Sequence, residues 1–451
     1  MIEKGPDESI LKNLDTNSII PFVMKDTSRM SRALLKIDKE YLFWDKIKYL
    51  KDDLVKIGLN ENYSNSSEIL WAITKTKRTI NQESISFGNH FNPYLSTNFN
   101  VNEYLQQKLH YLDFNFGAGI QKEKLLSDLD KAQYLNNALM EESIFSSMIE
   151  GATTTRVKAK EMLRKKTKPR NKSEQMILNN YRAIQYISEN QDEDISLEKL
   201  FGIHQIVTKN TLEDGHIGVL RSTDDVHVMN EITGEIVHTP PKHEKLNELM
   251  QSFCEFFNSN PKENFIHPIV KASILHFLIG YIHPFYDGNG RTARALFYWY
   301  LLKNGYWLTE YLSISRVIME TKTQYEKAYI YTEIDDMDVT YFVHYQVKVL
   351  TKAFEDLKKY IAKKKKQEKD LSKFFKIDGI NERQAQILFW LQKDSNRFFT
   401  VKEIETIFLV TNQTARTDLE ELVESGYIKK IAVNKKSSNY WKGDDFDALL
   451  P

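Results

Sequence analysis

Hydrophobic residues recur at helical spacing in two segments that flank one short polar turn. From 266 to 281 the apolar positions repeat every three or four residues, which is typical of a helix with a buried stripe. Residues 293–301 repeat the spacing, and Asn304-Gly305 supplies a helix stop. The pattern predicts two packed helices joined by the turn at residues 284–290.

Weaker patterns organise the chain before this helix pair. Residues 1–124 alternate short apolar runs with Asn/Ser-rich breaks, which predicts a mostly helical N-terminal region. Residues 125–150 have a helical pattern that stops at Gly151, a residue suited to the left-handed position after a helix. In residues 226–238, β-branched positions flank a turn-like centre, which indicates a small hairpin.

The C-terminal part predicts a separate module. A lysine-rich helical linker is expected over residues 351–380, and residues 381–445 have the element order of a winged helix-turn-helix. The predicted elements are helices at 382–392, 401–408 and 413–425 and strands at 427–433 and 439–441. The expected fold is therefore mainly α: a helical core over 125–350 with a small hairpin, a helical N-terminal extension and this C-terminal domain.

The composition limits the partners and the cellular compartment that we expect for this chain. Lys plus Arg and Asp plus Glu each number 62, so no global charge draws the chain to nucleic acid or membrane. Cys254 is the only cysteine, which excludes an internal disulfide framework and fits a reducing compartment, with the thiol as a core residue. The sequence has neither a secretory leader pattern nor a long uncharged apolar run. We expect a cytoplasmic protein without a membrane partner.

The turn between the paired helices combines groups that suit phosphate chemistry. Gly288 and Gly290 let backbone N–H groups crowd an anion at a helix N-terminus. Arg291 and Arg294 are three residues apart, so their guanidinium groups can hold different phosphates of one ligand.

Three further side chains of this turn complete the chemistry. Asn289 can donate to a phosphate oxygen, and Asp287 is a single carboxylate that can hold Mg²⁺ together with substrate phosphates. His283 has an ordinary pKa of about 6.5 and can accept a hydroxyl proton. From residue chemistry alone the turn predicts phosphate-group transfer from a nucleotide.

The segment HPFYDGNGRTAR, residues 283–294, resembles the signature of the Fic (filamentation induced by cAMP) family along its whole length. The resemblance extends over roughly residues 125–350. It implies a protein adenylyltransferase that moves AMP from Mg-ATP to a Tyr, Thr or Ser hydroxyl of a protein. The roles it implies are: His283 the base, Phe285 the anchor of the loop, Asp287 the metal ligand, Asn289 and Arg291 the ligands of the α- and β-phosphates, Arg294 the ligand of the γ-phosphate, and Gly288 and Gly290 part of the nucleotide site.

Outside this loop the resemblance assigns two further groups of residues. The GHIGVLRS stretch and the hairpin are similar to the family's target-docking flap, for which Val226, Val228, Ile236 and His238 are the candidates. Tyr325 resembles an adenine-pocket tyrosine, as does Tyr329, although aromatic residues at helical spacing commonly belong to a core.

A second motif resembles the family's inhibitory helix. In SSMIEG, residues 146–151, Ser146 and Glu150 lie four apart and Gly151 follows. At that spacing the hydroxyl and the carboxylate share one helix face, so the serine can orient the acid. The resemblance implies that Glu150 pairs with Arg294 and displaces the γ-phosphate, as in the subgroup whose inhibitory helix precedes the Fic motif. The plain alternative is a surface glutamate near a helix end.

Several alternatives stay open at this point. The same loop occurs in relatives that transfer other nucleotide or phosphate groups, and in others that remove AMP with the help of the inhibitory glutamate. The target protein is open, and self-modification and a homodimer remain alternatives. A regulator that binds DNA through the winged helix is the rival of a different class. Residues 381–442 carry ten basic and eight acidic residues, a small excess for a DNA-binding domain, and a protein partner is an equal alternative.

Overall fold

The computed structural model describes most of the chain. The described residues are 2, 5–6, 27–50, 66–89, 92–116, 128–229, 233–259, 265–371, 374–434 and 437–450. Two lysines of the predicted C-terminal domain, Lys435 and Lys436, lie outside these ranges, and so do the side chains of the lysine run at 363–366.

The N-terminal region is helical with one β-hairpin. Its elements are α1 (Thr27–Glu40), α2 (Trp44–Ile47), α3 (Ser66–Asn81), β1 (Glu83–Asn89), β2 (Asn92–Phe99) and α4 (Glu103–Phe116). The hairpin is absent from the sequence prediction. Phe87, Leu95 and Phe99 are buried in the same hydrophobic core as the paired central helices. The alternation of inward side chains stabilises the hairpin through the neighbouring core, so this region is not packed as a separate unit.

The central part of the chain is a helical assembly with one small hairpin. Its elements are α5 (Asp128–Ile149), α6 (Arg156–Arg164), α7 (Lys172–Glu189), α8 (Leu197–Thr208), β3 (Val228–Met229), β4 (Ile236–His238), α9 (Leu246–Asn258), α10 (Pro268–Ile282), α11 (Asn289–Lys303), α12 (Ile314–Glu320), α13 (Lys322–Ile334) and α14 (Thr340–Leu371). Helix α14 passes residue 350 without a break, and Phe354 and Leu357 still belong to the core. The predicted linker therefore begins as part of a core helix.

The two helices predicted around the polar turn are α10 and α11. His267 caps the start of α10 by accepting the Ile269 N–H at Nδ1, and Pro268 occupies the first turn, where no intrahelical donor is needed. Both helices are buried on nearly all sides. The apolar stripe that indicated them is therefore wider than one face. Cys254 on α9 is buried in the same core.

The C-terminal domain has the predicted winged-helix order. Its elements are α15 (Glu382–Lys393), β5 (Phe398–Phe399), α16 (Val401–Phe408), α17 (Asn412–Glu424), β6 (Ile428–Asn434), β7 (Ser437–Lys442) and α18 (Phe446–Leu449). The strands form one antiparallel sheet in the order β5-β7-β6, which adds the unpredicted β5. Thr400 caps α16 through the Glu403 N–H, and this domain has its own hydrophobic core. In the described part of the chain, no helix has the length and apolar character needed to cross a bilayer.

Candidate active site

His283 directly follows α10 and has the left-handed backbone conformation, with φ at 48°. Its Nδ1 lies 3.2 Å from the Gly280 carbonyl oxygen, which assigns the proton to Nδ1 and leaves the Nε2 lone pair free. Burial lowers the pKa of His283 below its ordinary value, and the Gly280 carbonyl opposes this effect. The imidazole is therefore neutral at pH 7 and can accept a proton at Nε2.

Arg221 fixes the backbone on both sides of the turn's first residue. The residue is 2% exposed, and its Nε donates to the His283 carbonyl at 3.0 Å. Its backbone N–H donates to the Pro284 carbonyl at 2.9 Å, while the guanidinium also binds the Thr223 and Pro241 carbonyls. Arg221 thus joins His283 to both ends of the flap. The sequence signalled it only as part of the GHIGVLRS stretch.

His204 supports the other side of the turn, and sequence reasoning missed it. Its Nδ1 accepts the Gly218 N–H at 3.0 Å, so Nε2 carries the proton and donates to the Asp287 carbonyl at 2.8 Å. The ring stacks on Phe285 with centroids 3.8 Å apart, and Phe285 is fully buried. Burial lowers the pKa of His204 to about 4, so the ring is uncharged near neutral pH and keeps this tautomer.

The start of α11 provides the anion end of the turn. Gly288 has φ at 83°, and a Cβ there would lie 2.7 Å from the Thr208 Cγ2, so a side chain would be strained and crowded. Helix α11 begins at Asn289, and the first N–H groups of a helix have no intrahelical partner. These donors and the helix dipole favour a bound phosphate.

Asn289 and Arg291 are more deeply engaged in the protein than a purely phosphate-binding role predicts. The Asn289 side chain accepts the Phe285 N–H and donates to the Phe285 carbonyl, at 2.9 and 2.8 Å, which closes the turn. Arg291 is fully buried and donates to the Val207 carbonyl at 2.9 Å. Its Nη2 lies 3.4 Å from Asp287 Oδ1, and its Nε has no hydrogen-bond partner within the described ranges.

Asp287 faces the solvent side of the site. Its side chain is 40% exposed, and Oδ1 accepts the Gly288 N–H. No hydrogen bond to Oδ2 appears in the described part of the structure, so this oxygen can serve a cation. One exposed carboxylate oxygen fits Mg²⁺ held mainly by substrate phosphates and water.

Arg294, on α11, joins the site to the C-terminal end of α5. The arginine is 1% exposed; Nε donates to the Ser146 hydroxyl and Nη2 to the Ser146 carbonyl, each at 2.8 Å. Nη2 also lies 3.0 Å from Glu150 Oε1. Ser146 thus holds the arginine, whereas the sequence suggested that it would orient the acid. Arg294 Nη1 is buried without a hydrogen-bond partner among the described residues.

Glu150 lies directly over the start of α11. A Cβ at Gly290 would overlap the Glu150 carboxylate, which shows how closely the acid approaches the predicted phosphate nest. The acid follows the last residue of α5, and Gly151 turns the chain away with φ at 85°. The structure therefore brings Ser146, Glu150, Gly290 and Arg294 together, with Gly151 ending the segment that carries the acid.

The two tyrosines expected near adenine lie beside this group. Tyr325 Oη is 3.0 Å from His276 Nε2 and 3.4 Å from Tyr329 Oη. A Cβ at Gly280 would overlap Tyr329, so this glycine allows the tyrosines to approach α10. His276 is fully buried, and its contact with the hydroxyl positions Tyr325. Both tyrosines are half-buried and belong partly to the core, which accounts for their helical spacing.

The flap hairpin divides into an anchored end and an exposed end. Val226 precedes β3, and Val228 pairs with His238. His238 was expected to dock a target, but its Nδ1 lies 2.8 Å from Glu333 Oε2 and its Nε2 2.6 Å from the Tyr281 carbonyl. It therefore anchors the flap to α13 and α10. Ile236 is 55% exposed and remains available as a docking residue.

Comparison with known proteins agrees with this geometry. The model of the Fic/DOC family matches residues 194–301, a range that holds α8, the flap, the polar turn and most of α11. The chain contains a Fic domain. The model of the DeoR-like helix-turn-helix domain matches residues 383–432. The Fic domain is thus followed by a helix-turn-helix domain in one chain.

Curated relatives of the Fic domain include protein adenylyltransferases. The chain is 30% identical over 198 residues to protein adenylyltransferase Fic of Nematostella vectensis, covering 41% of this chain and 44% of the relative. It is 29% identical over 196 residues to the Drosophila grimshawi protein of that name, covering 41% and 38%. The match thus spans less than half the length of these relatives.

Fic proteins are among the solved structures that the chain matches. Fic-1 of C. elegans, residues 134–508, has a TM-score of 0.49 at 18% identity, with 80% of this chain and 92% of that chain covered. A Fic family protein from Desulfovibrio desulfuricans G20 has a TM-score of 0.48 at 17% identity, with 75% and 94% covered.

Proposed function

We propose that this chain transfers AMP from Mg-ATP to a hydroxyl group of a protein and that Glu150 restrains the reaction. The observation that carries the proposal is the position of buried Arg294. It lies at the phosphate-binding end of the turn, holds Glu150 at 3.0 Å and retains one unpartnered Nη1. The names of the curated relatives support the choice of AMP transfer.

His283 supplies the base in this proposal. The neutral Nε2 accepts the proton of the target hydroxyl while that oxygen attacks the α-phosphorus. The bond from the α-phosphorus to the bridging oxygen breaks, so pyrophosphate leaves and AMP remains on the protein as a phosphodiester. Arg221 and the Gly280 carbonyl hold the ring and its backbone, so the base needs little rearrangement to reach the attacking oxygen.

The phosphates are held by the start of α11 and its arginines. The first backbone N–H groups of α11 and the unpartnered donors of Arg291 and Arg294 supply fixed positive charge in a buried setting. Asp287 would hold Mg²⁺, which neutralises phosphate charge when it is bound. This arrangement suits a triphosphate with its terminal phosphate at Arg294.

Glu150 would act as a brake by occupying that arginine. Its carboxylate takes the place of a charge partner for the γ-phosphate and lies close to Gly290. A nucleotide bound beside it would have its terminal phosphate displaced, which would misalign the α-phosphorus with the attacking hydroxyl. Ser146 keeps Arg294 oriented towards the acid.

The exposed flap edge suits a target presented as an extended strand. Met229, Ile236 and Val237 are 59%, 55% and 41% exposed, and backbone pairing along such an edge is a common way to hold a peptide. A Tyr, Thr or Ser in that strand would face His283. A segment of the same chain or of a second copy fits this description as well as another protein does.

The position of the retained label separates AMP transfer from phosphate transfer. In the Glu150→Gly variant, ATP labelled on the α-phosphate should label protein, while ATP labelled on the γ-phosphate should not. The γ-label leaves with pyrophosphate in the proposed reaction. Measurement is by protein-bound label after denaturing electrophoresis, and γ-label on the protein would replace AMP transfer with phosphate transfer.

We infer a second function, duplex DNA binding by the helix-turn-helix domain, from the way the acids of α17 are used. Asp418 binds Arg383 at 2.6 Å, Glu420 binds Tyr440 at 2.8 Å, and Glu421 accepts from Gln384. Arg383 offsets the charge of Asp418, and Lys430 that of Glu420, so the acidic count of this helix overstates its negative charge. The exposed residues of its N-terminal half are Asn412, Gln413, Arg416 and Thr417, side chains that suit base edges and phosphates.

A basic segment of the Fic core extends this surface. Residues 156–172 carry nine basic residues and one acidic residue, and Lys166, Lys168 and Lys172 are exposed. Lys166 lies 3.1 Å from Glu405, whose other oxygen lies 3.3 Å from the Asn412 amide. The basic segment thus meets the N-terminal end of α17, where phosphates would flank a bound groove.

Duplex binding should depend steeply on salt. The full chain should shift duplex fragments, and Arg416→Ala should weaken binding about tenfold, as expected for the loss of one groove contact. Lys393→Ala, an exposed change elsewhere in the domain, serves as the matched control. A gel-shift series over increasing salt that finds no salt-sensitive binding would remove the DNA function.

A further inference from the structure

The helix-turn-helix domain packs directly on the helix that leads to Glu150. Asn136 on α5 donates to the Thr406 carbonyl of α16, and both residues are buried. Tyr181 of α7 donates to the other end of the Asn136 amide at 3.1 Å. The amide is therefore held from both sides, and it ties the C-terminal domain to α5.

A buried charge makes the second contact between these parts. Glu403 on α16 has a side chain that is 2% exposed, and its Oε1 lies 2.9 Å from Arg164 Nη2 on α6. Arg397 Nη2 is 3.7 Å from the same oxygen. The Arg164 contact is an ion pair rather than an aligned hydrogen bond, because Glu403 Oε1 accepts no hydrogen bond among the described residues.

Removing either partner of such a pair is unfavourable. A buried carboxylate without cations nearby loses its solvation without compensation, so the interface stabilises Glu403 only while Arg164 and Arg397 remain close. Burial raises the pKa of Glu403, and the two arginines oppose that rise. We call Asn136, Arg164, Glu403 and Thr406 the α16 dock.

The α16 dock grips the chain on both sides of Glu150. Asn136 lies in α5, before the acid, and Arg164 lies in α6, after it. The distance along the helix from Asn136 to Glu150 is roughly 21 Å at the usual rise per residue. A helix transmits a displacement over that length as a rigid element, so movement of α16 would reach the position of Glu150.

We propose that the helix-turn-helix domain holds the inhibitory helix in place through the α16 dock, so that releasing the dock raises transfer by the Fic domain. The proposal rests on the proposed restraint by Glu150. It assigns the C-terminal domain a regulatory role in this chain, with α5 and α6 as the surface on which it acts.

Helix α5 has a second anchor, which is independent of the α16 dock. Glu142, in the middle of α5, is buried and accepts the Ser315 N–H at 2.9 Å as well as the Ser315 hydroxyl. This anchor belongs to the Fic core and does not involve α16. If it alone holds α5, loss of the dock will leave both the helix and the reaction unchanged.

Hydrogen exchange on the full chain tests the dock without reference to activity. Arg164→Ala removes the ion pair from the Fic side and leaves the helix-turn-helix domain intact, while Glu403→Gln removes the charge from the other side. Both should speed amide exchange in residues 128–149. The matched control is Arg170→Ala, an arginine of the same basic segment whose partner, Glu174 at 2.9 Å, lies in its own domain. Exchange equal to that of the control in both dock variants would overturn the proposal.

AMP transfer supplies the second readout. With Glu150 present, Arg164→Ala and Glu403→Gln should raise transfer at least about fivefold, the lower end of ordinary coupling between sites. In a Glu150→Gly background neither change should add to the rate, because the restrained group is gone. An equal increase in both backgrounds, or none with Glu150 present, would contradict the proposal. Absence of label in Glu150→Gly itself counts against the proposed reaction, while the exchange data still decide the dock.

Discussion

Glu150→Gly should raise AMP transfer by roughly 5- to 150-fold, the range of typical coupling between two sites. In the parent, Arg294 Nη2 forms an ion pair with Glu150. The variant frees this arginine and removes the carboxylate that lies against Gly290. The γ-phosphate can then take the arginine, and the α-phosphorus lines up with the attacking oxygen. The measurement is the initial rate of protein labelling from α-labelled ATP at saturating Mg²⁺.

Glu150→Gln provides the matched variant for this change. It keeps the length of the side chain and the helix end but removes the charge, so it should also raise the rate, by less than the glycine variant. If AMP removal were the reaction, Glu150 would position water, and both variants would be slower than the parent on a protein that already carries AMP. A labelling rate equal to the parent's in both variants would exclude the restraint.

His283→Ala should lower transfer by roughly 10²- to 10⁴-fold in the Glu150→Gly background, the usual contribution of a general base. The loss follows from the position of Nε2, which has its proton-accepting lone pair free because Nδ1 is bound to the Gly280 carbonyl. Nucleotide binding should remain, since the phosphate contacts lie in α11. Labelling rate and ATP affinity, measured on the same preparation, separate these two effects.

His267→Ala is the control for loss of a half-buried histidine side chain. His267 caps α10 and lies 3.0 Å from Asp113, away from the reacting groups. The variant should keep the transfer rate of its background wherever the fold is retained. Full activity of His283→Ala would show that another group takes the proton.

The pH dependence should report the lowered pKa of His283. The base form exists above the pKa, and burial moves that pKa below the ordinary value of about 6.5. Transfer by Glu150→Gly should therefore persist below pH 6.5 and fall only as the pH passes through the lowered value. A plot of kcat/KM against pH for this variant tests the direction, and a midpoint above 6.5 would contradict it.

The C-terminal domain illustrates a prediction that local pattern could support. Thr400 before α16, the apolar spacing of α15 and α17 and the β-branched strands all act within a few residues, so their signals are visible in the sequence. Charge was harder to judge from composition. Asp418, Glu420 and Glu421 count as acids in the sequence, but the structure pairs each with a side chain distant along the chain.

The N-terminal region shows the opposite case. Its hairpin has modest alternation, and it is stabilised by Phe87, Leu95 and Phe99 packing into the central core. The hairpin's own sequence could not predict this packing, because the contacts that stabilise the hairpin come from helices far along the chain. The same reason explains why α14 continues past residue 350, where lysine-rich composition predicted a linker.

By itself the sequence determined which groups the polar turn brings together, because its glycines, arginines, carboxylate and histidine fall within one short segment of the chain. It also determined the helix stop at Gly151 and the winged-helix order. Only the tertiary structure decided that Ser146 holds Arg294 and that His238 anchors the flap. Tertiary structure also placed Arg221 and His204 behind the turn and set α16 against the helix of Glu150. These contacts join residues far apart in the chain, and packing of the whole core selects them.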